Sequence, residues 1–443
     1  MTGDLKSQLA NIRRAVSRRS GIVRECIELM IDNDDPPIFY CATNIADTTK
    51  YNILPCYNHN GGAGLTRESA YLSALCESLE RYCVSFQSGS LIEGSYAGLR
   101  AQGYHLIHPD EYQLFSESQY GSEAFRFEKF TEDVRIKWVQ GECLTCSEPA
   151  LVPACLVYIP YVPHGREEPL MAPSISTGLA CGSSRLGAIL SGLLEVIERD
   201  AFSIAWLNML ESPRVLVDAG SRFSREFFQP YFNVSGLEYV VNDLRLDIDV
   251  PVFLVMIIAD TPYGKAASCG CACRLNPEEA LKKAFIEAAQ SRVWIKQIQN
   301  MDPKWSYVEF KDIKTFEDHV KLYGSEKMLS ALDFLRFNEA ANRFPDGYHD
   351  LSRGNLEEDV LFLLDAMRKT GMEAVAVDVT TPDIEVLGFK VIKIVVPQAH
   401  PLHGDHNYRF LGGSRLYEVP VKIGVLGKKR LESELNQYPH PFP

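Results

Sequence analysis

The chain has 443 residues, of which 46% are hydrophobic and 23% are charged, and its formal net charge is −13. This is the composition of a folded globular enzyme with a large core. The negative charge and the lack of clustered basic residues argue against nucleic-acid binding. No apolar run approaches the roughly 18 residues of a membrane span, and the N-terminus lacks a secretory signal. Twelve cysteines are then expected to be reduced thiols in a cytoplasmic protein.

Helices and strands alternate along the chain, which predicts a mixed α/β fold. After an N-terminal amphipathic helix come two segments rich in small residues, 59–64 and 176–182. Both are predicted as turns, each followed by a helix, at about 67–87 and 185–208. A third helix begins with Pro277 and covers 277–298. The strand candidates are 36–45, 251–260, 266–275, 373–380 and 388–397.

No proline- or serine-rich linker interrupts this alternation, so we expect one domain that spans residues 1–443. Its parts would be an N-terminal segment, a core that holds the three helices, a helical polar excursion, and C-terminal strands with a proline-rich tail. These parts correspond to residues 1–60, 61–298, 299–358 and 359–443.

One nine-residue frame, Ser-x-x-x-Glu-x-x-Glu-Arg, occurs twice, 118 positions apart. Its members are Ser73, Glu77, Glu80 and Arg81 in the first copy, and Ser191, Glu195, Glu198 and Arg199 in the second. On a helix these positions fall on one face. A single copy would usually be a solvated face. The second copy, however, lies in a helix that is apolar on nearly every side, so its carboxylates should be enclosed and therefore paired or metal-bound.

Four glutamates form an oxygen-only ligand set, which suits Mg²⁺ and bound phosphates better than zinc. The two arginines could contact phosphate oxygens, and the turn before each helix could offer backbone N–H groups to the same anion. The chain has no Walker A, kinase or dinucleotide motif. The third helix adds weaker candidates, namely Glu287, Gln290 and Arg292.

Four segments together resemble the YcaO family: 61–82, 176–202, 280–292 and 377–397. The resemblance runs from about residue 20 to the last residue. It implies a YcaO-type α/β fold in which duplicated carboxylate-bearing helices pack on strands, with neither a Rossmann nor a P-loop nucleotide site. It also implies that ATP and Mg²⁺ bind between these helices.

The resemblance further implies a role for each motif residue. Glu77, Glu80, Glu195 and Glu198 would hold Mg²⁺. Phosphate, ribose or the metal shell would be contacted by Ser73, Arg81, Ser191, Arg199, Glu287, Gln290 and Arg292. Arg19 and Ser20 stand where family members use an N-terminal basic residue and a serine, although the usual lysine is absent.

The chain ends in Pro439-His440-Pro441-Phe442-Pro443. Alternating prolines stiffen such a tail, which could place its terminal carboxylate in a site. This ending resembles that of azoline-forming family members, which implies a catalytic role for Pro439, Pro441 and Pro443. The implied reaction is cyclodehydration of a ribosomally made precursor peptide, as in bacteriocin biosynthesis. A Cys, Ser or Thr side chain attacks the preceding carbonyl, ATP phosphorylates the oxyanion, and loss of phosphate leaves a thiazoline or oxazoline.

The resemblance also implies partners. These are a separate activating-enzyme-like protein that binds the leader peptide, a flavin-dependent azoline dehydrogenase, and further copies or subunits in a dimer or synthetase complex. Two alternatives stay open. One is a thioamide-forming family member, which lacks the proline-ended tail. The other is a non-catalytic nucleotide-binding scaffold, against which the full set of glutamates and arginines argues.

Three other patterns are weaker. The Cys143-x-x-Cys146 spacing suits zinc, but no second Cys or His pair follows at a matching interval, so we do not expect zinc there. Alternating Cys269, Cys271 and Cys273 predict a buried strand face. The remaining weak metal or ligand candidates are His400, His403, Asp405 and His406, and Asp378, Thr380 and Asp383.

Overall fold

The computed structural model describes residues 2–49, 54, 59–87, 91–163 and 168–442. Twelve α-helices occur in this part of the chain: α1 (Thr2–Ile12), α2 (Arg67–Val84), α3 (Tyr96–Ala101), α4 (Glu117–Tyr120), α5 (Arg185–Leu207), α6 (Gln229–Tyr231), α7 (Pro277–Met301), α8 (Phe316–Tyr323), α9 (Asp333–Arg336), α10 (Leu356–Lys369), α11 (Pro382–Val386) and α12 (Ser414–Lys422). Within the same residues, none of these helices is long and apolar enough to cross a membrane.

The same residues form fourteen strands: β1 (Val23–Glu28), β2 (Phe39–Ile45), β3 (His59–Gly64), β4 (Ile92–Ser95), β5 (Arg135–Cys143), β6 (Glu148–Pro153), β7 (Leu179–Gly182), β8 (Arg214–Val217), β9 (Glu238–Asp243), β10 (Val252–Thr261), β11 (Gly264–Cys273), β12 (Ala341–Phe344), β13 (Val375–Asp378) and β14 (Lys390–Val395). The predicted α/β alternation is confirmed, and the three long helices lie within a few residues of their predicted bounds.

The described strands form three sheets, in the orders β1-β2-β3, β11-β10-β9-β8-β12 and β4-β5-β13-β14-β7, with β6 also paired to β5. One end strand of each sheet leads directly into a long helix: β3 into α2, β7 into α5 and β11 into α7. Side chains of Thr66, Ser184 and Asn276 cap these three helices. The molecule therefore repeats one unit, an end strand followed by a long helix, three times.

The two segments predicted as glycine-rich turns are strands, β3 and β7, which corrects the sequence-based interpretation. Their glycines let strand and helix approach closely. A Cβ on Gly62 would lie 2.3 Å from the backbone N of Ala74, and one on Gly182 would lie 2.8 Å from the backbone N of Ala188. The real turns are the two residues that follow each strand and, in the second segment, Thr177 and Gly178 just before β7. The small residues thus reflect close packing against a helix rather than a phosphate-binding loop.

The largest cluster of buried residues surrounds α5, whose Phe202, Trp206 and Leu207 are almost fully buried. Residues 299–358 contribute Leu322 and Tyr323 to this cluster. The predicted helical character of this segment is only partly correct, because it also contains β12, which pairs in parallel with β8. That strand is short and polar. It lacks the alternation of apolar and polar residues from which a strand can be predicted.

Candidate active site

The four motif glutamates are each oriented by one backbone N–H group. The donors lie in end strands or in the turn before β7, where N–H groups that face away from the sheet need another acceptor. The pairs are Gly61 N with Glu77 Oε2 at 3.0 Å, Cys181 N with Glu80 Oε1 at 2.7 Å, Gly178 N with Glu195 Oε2 at 3.2 Å, and Cys273 N with Glu198 Oε2 at 3.1 Å. The N–H groups expected to face an anion thus hold the carboxylates instead.

The second oxygens of these carboxylates are not fully engaged. Glu77 Oε1 lies 3.6 Å from Arg81, and the Oε1 atoms of Glu195 and Glu198 lie 3.7 and 3.5 Å from Arg199. These separations exceed the roughly 3.2 Å of a good hydrogen bond. One oxygen of each of these carboxylates is therefore fixed by the backbone, while the other remains able to bind a cation.

The carboxylates of different helices also repel one another. Burial raises the pKa of Glu80 to about 8, with Glu195 and Glu77 adding to the rise and Arg81 opposing it. Burial likewise raises the pKa of Glu198 to about 7, and the carboxylate of Glu287 on α7 adds to the rise. We call the five residues Glu77, Glu80, Glu195, Glu198 and Glu287 the carboxylate cluster. It joins α2, α5 and α7 at one place.

The remaining motif residues border this cluster. Ser73 and Ser191 are exposed, one turn before the first glutamate of each frame. On α7, Gln290 lies against β3, because a Cβ on Gly61 would be 2.9 Å from Gln290 Nε2. Lys283, which the sequence interpretation missed, pairs with Glu287 at 2.5 Å. Its position four residues before Glu287 matches that of the serines before their glutamates, so aligning α7 with the two frames could have revealed it.

Three predicted residues do not join the cluster. Arg292 is buried but forms ion pairs with Asp34 at 2.6 Å and Asp35 at 3.0 Å. It follows Gln290 by two positions, about 200° around the helix, so it faces the other side of α7. Arg19 and Ser20 lie in an exposed turn, where their backbone N–H groups bond to Ser17 Oγ. Within the described residues, no side-chain bond links Arg19 or Ser20 to the carboxylate helices.

Lys393 on β14 is a second residue that sequence reasoning missed. It is 2% exposed, and its ammonium donates to the carbonyls of Ile175 and Thr177 at 2.5 and 2.7 Å. Burial lowers its pKa to about 7, while the carboxylate of Glu195 opposes that shift. Lys393 therefore fastens the turn whose Gly178 orients Glu195. A lysine in the middle of a run of apolar strand residues is the signal for it.

The proline-rich tail is ordered and buried as far as Phe442, and Pro443 lies outside the described residues. Its carbonyls accept bonds from core side chains. The bonds run from Trp206 Nε1 to Tyr438 at 3.2 Å, from Tyr323 Oη to Pro439 at 2.6 Å and from Cys269 Sγ to Pro441 at 3.0 Å. The Phe442 ring lies 3.9 Å from the guanidinium carbon of Arg199. The last described residue of the tail thus lies against an arginine of the second frame.

Four buried histidines, which we call the histidine bed, pack together at the tail: His319, His403 and His406, and His440 of the tail itself. The rings of His319 and His440 stack at 3.9 Å. His440 Nε2 bonds to the carbonyl of His403 at 2.7 Å, and His406 Nε2 to that of Gln437 at 3.1 Å. Burial lowers the pKa of His319 to about 4 and that of His406 to about 3. Two of the weak metal candidates, His403 and His406, therefore lie in the histidine bed as neutral side chains.

The other weak candidates have local roles. The backbone N–H of His400 bonds to Asp200, and Asp405 caps a short turn at Asn407. Asp383 accepts a bond from Tyr82 Oη at 2.8 Å. Cys269, Cys271 and Cys273 are all fully buried, as predicted.

The family model described as YcaO cyclodehydratase, ATP- and Mg²⁺-binding, matches residues 61–400. The chain belongs to the YcaO cyclodehydratase family. An uncharacterized protein of Methanothermobacter thermautotrophicus is 29% identical to it over 382 residues, which cover 85% of this chain and 89% of that protein. The predictions of the family, of the α/β fold and of an enzyme of this family are therefore confirmed.

Two solved structures are similar in fold to this YcaO chain. A heterocyclase in complex with substrate and cofactor has a TM-score of 0.80 at 24% identity, and the match covers 99% of this chain and 57% of that one. YcaO from Methanopyrus kandleri, bound with AMPPCP and Mg²⁺, has a TM-score of 0.63 at 21% identity and covers 89% and 91%. This chain therefore spans little more than half of the heterocyclase chain.

The residues of this YcaO site fit the nucleotide and metal that the family model names. The carboxylate cluster offers hard oxygen ligands whose second oxygens are not fully bonded. Its mutual repulsion would be relieved by a divalent cation. Arg199 Nη1 is buried and, among the described residues, has no hydrogen-bond partner. A phosphate oxygen would satisfy it.

Proposed function

We propose that this protein is the ATP- and Mg²⁺-dependent cyclodehydratase subunit that converts Cys, Ser or Thr residues of a ribosomally made peptide to thiazolines or oxazolines. The observation that carries this proposal is the contact between Phe442 and Arg199. It brings the proline-ended tail, the mark of azoline-forming members, against the second carboxylate helix. The natural product would be of the bacteriocin kind.

In this proposal the chain's own residues have distinct tasks. Glu77, Glu80, Glu195 and Glu198 hold Mg²⁺, which when bound neutralises phosphate charge. Arg81 and Arg199 contact phosphate oxygens, and Ser73, Ser191, Glu287 and Gln290 line the nucleotide. Because the backbone fixes one oxygen of each motif carboxylate, little reorganisation is needed as charge develops. Pro439, Pro441 and Pro443 stiffen the tail that delivers the terminal carboxylate for proton transfer.

In the proposed reaction the peptide loses one water molecule overall. The substrate thiol or hydroxyl gives up its proton as its heteroatom attacks the preceding amide carbon, and the resulting oxyanion takes the γ-phosphoryl group of ATP, which releases ADP. Loss of phosphate and of the amide proton then forms the C=N bond of the azoline. Formation of a thioamide would instead exchange one oxygen for sulfur, so the mass of the product peptide distinguishes these two reactions.

The resemblance to azoline-forming members also leads us to propose partners. Leader recognition would be the task of a separate activating-enzyme-like protein, and a flavin-dependent dehydrogenase would oxidise the azolines. Affinity purification of the tagged chain from its source, followed by mass spectrometry, tests this proposal. Recovery of neither protein class would contradict it.

Calorimetric titration with AMPPCP and Mg²⁺ tests the nucleotide site without needing a partner. We expect Glu195→Gln to weaken binding at least tenfold, which corresponds to about 1.4 kcal/mol. Glu123→Gln, at an exposed position, is the matched control and should bind like the wild type. Absence of nucleotide binding by the wild type would contradict the proposed nucleotide site, whereas binding without any turnover of ATP or peptide would favour the scaffold alternative. Cyclisation itself is tested by adding a precursor peptide and the partner, with water loss and ADP release as readouts.

A further inference from the structure

A second group of candidate metal ligands lies away from the carboxylate cluster, at the hairpin between β5 and β6. His105, Cys143 and Cys146 each offer one ligand atom, and these three atoms all lie within 4.8 Å of one another. Cys146 Sγ is 3.8 Å from His105 Nδ1. The sequence argues against zinc here because no further ligand pair follows. The structure supplies the third ligand from a segment upstream of β5.

The hairpin turn holds Cys143 and Cys146 close together. Ser147 has a positive φ of 58°, and its N–H donates to the carbonyl of Cys143 at 2.8 Å. Thr145 Oγ1 lies 3.4 Å from Cys143 Sγ and can donate to it, and the backbone N–H groups of Thr145 and Cys146 also bond to this sulfur. Such donors stabilise a thiolate bound to a cation.

A carboxylate from a third part of the chain orients the histidine. Glu373, just before β13, places Oε1 3.1 Å from His105 Nε2 and 3.3 Å from Cys143 Sγ. With Nε2 donating to this carboxylate, Nδ1 carries the lone pair and faces Cys146. A carboxylate that holds the outer nitrogen of a ligating histidine is the usual second partner in zinc sites.

The other close group of such side chains among the described residues does not compete. Asp32, Asp34 and Asp35 also have carboxylate oxygens within 4.8 Å of one another. Arg292 and Lys296 already pair with them at distances of 2.5 to 3.0 Å. Two of their three negative charges are therefore balanced by the protein itself.

We propose that His105, Cys143 and Cys146 bind a zinc ion, with Glu373 orienting His105 and the fourth position open to solvent beside the exposed Cys146. Two thiolates and an imidazole are softer ligands than the carboxylates of the cluster. This ligand set therefore favours zinc over Mg²⁺. The ion would join three segments of one sheet: the residues before the Leu106–Leu151 bridge, the β5–β6 hairpin and the start of β13.

Three protein ligands and one open position are the coordination of a catalytic zinc, but this site lies away from the carboxylate cluster, so we assign the ion a role in supporting the sheet. In the sheet, β13 and β14 lie between β5 and β7, which separates the zinc ligands from the strand that orients Glu80 by about 14 Å. The site should therefore stabilise the sheet that supports α2 and α5 without contacting the nucleotide. Loss of zinc is expected to lower the melting temperature and to leave nucleotide affinity within about threefold of the wild type.

Metal analysis of the full-length chain, loaded with zinc under a thiol reductant and dialysed, tests the proposal. We expect about one zinc ion per chain. Cys146→Ser should lose at least about four-fifths of it, because a thiolate ligand is gone. Cys26→Ser, a thiol on β1, is the matched control and should retain it. Glu373→Gln should weaken zinc affinity about 10–100-fold in competition with a chromophoric chelator.

Replacement of zinc by Co²⁺ gives a readout that does not depend on the stability of a variant. Sulfur-to-cobalt charge-transfer absorption should appear in the wild type and be lost in Cys146→Ser. The proposal is overturned if the zinc-loaded wild type retains no zinc, or if Cys146→Ser retains as much zinc as the wild type. Protein prepared without reductant could instead contain a Cys143–Cys146 disulfide and no zinc. If the protein still binds no zinc after this disulfide is reduced, the proposal is overturned as well. None of these results bears on nucleotide binding.

Discussion

The carboxylate cluster and the histidine bed meet at Arg199 but differ in how fully their polar groups are bonded. In the cluster, burial and neighbouring charges raise the pKa of Glu80 and Glu198, and several carboxylate oxygens have only distant arginines as partners. The tail on the histidine bed is bonded at successive carbonyls, from Tyr438 to Pro441. The cluster therefore needs a cation to be fully stable, whereas the tail is held by the protein alone.

This difference separates a binding function from a positioning function. A region that holds several like charges close together without a compensating ion is typical of a ligand site. A region of neutral, bonded groups is typical of structural support. Arg199 takes part in both, since it faces Glu195 and Glu198 and also stacks on Phe442. Variants that affect one region and spare the other should show whether the two functions are separable.

Deletion of Pro439 to Pro443 should have the largest effect. We expect cyclisation to fall at least about 100-fold, because small misplacements of a catalytic group have effects of that size. AMPPCP and Mg²⁺ should bind within about threefold of the wild type, because the carboxylate helices keep their backbone donors. Peptide mass spectrometry and calorimetry measure the two effects. Unchanged cyclisation would contradict the role given to the tail.

Arg199→Ala and Arg81→Ala should weaken nucleotide binding alike but differ in their effect on cyclisation. Each variant loses a charge-assisted contact to phosphate, so nucleotide affinity should fall by about 1.5–3 kcal/mol in both. Only Arg199→Ala also removes the group that packs on Phe442. At saturating ATP we therefore expect cyclisation to recover in Arg81→Ala and to stay low in Arg199→Ala. The dependence of the rate on ATP concentration measures this, and equal recovery would argue against a link between tail and site.

The sequence predicted the parts of this site that depend on local pattern. The glutamates of each frame share a helix face by periodicity alone, and the apolar surroundings of Glu195 and Glu198 predicted their enclosure. Other features depend on distant contacts. The glycines of β3 were interpreted as a turn because sequence cannot show that α2 packs against them. Arg292 was assigned to the nucleotide because its partners, Asp34 and Asp35, lie far away along the chain.

The stability of the metal-free protein should fall as pH rises from 6.5 to 8. The pKa of Glu80, about 8, and that of Glu198, about 7, lie above the ordinary value of 4.5. The unfolded chain releases these protons near pH 4.5 while the folded chain still holds them, so stability is lost as pH rises from there toward the folded-state pKa values. Glu80→Gln should gain stability on the order of 1 kcal/mol at pH 8 while it weakens Mg²⁺–nucleotide binding.

Urea unfolding across this pH range, with and without Mg²⁺ and AMPPCP, measures the effect. The pH dependence should shrink in Glu80→Gln and also in wild-type protein with bound ligand, because a cation favours the ionised carboxylates. Glu123→Gln should behave like the wild type. If Glu80→Gln is less stable than the wild type at pH 8, Glu80 forms a net favourable interaction in the metal-free protein and the cluster is not repulsive.

The histidine bed should respond to pH in the opposite direction. The folded-state pKa is about 4 for His319 and about 3 for His406, below the ordinary value of 6.5. Stability from these neutral rings is present at neutral pH and is lost as pH falls from 6.5 toward 4, because the unfolded chain binds protons first. Each histidine contributes at most about 1.4 kcal/mol per pH unit, and the tail should loosen within this range.

Trp206 reports on this loosening, because its Nε1 donates to Tyr438 at the start of the tail. We expect its fluorescence to change between pH 6 and about 4.5 in the wild type, and this change to be absent in Trp206→Phe. His319→Gln, which cannot be protonated, should shift the midpoint to lower pH, whereas His349→Gln in an exposed loop should not. If both variants titrate alike, the acid response arises outside the histidine bed, and the tail is held by packing of Phe442 rather than by neutral histidines.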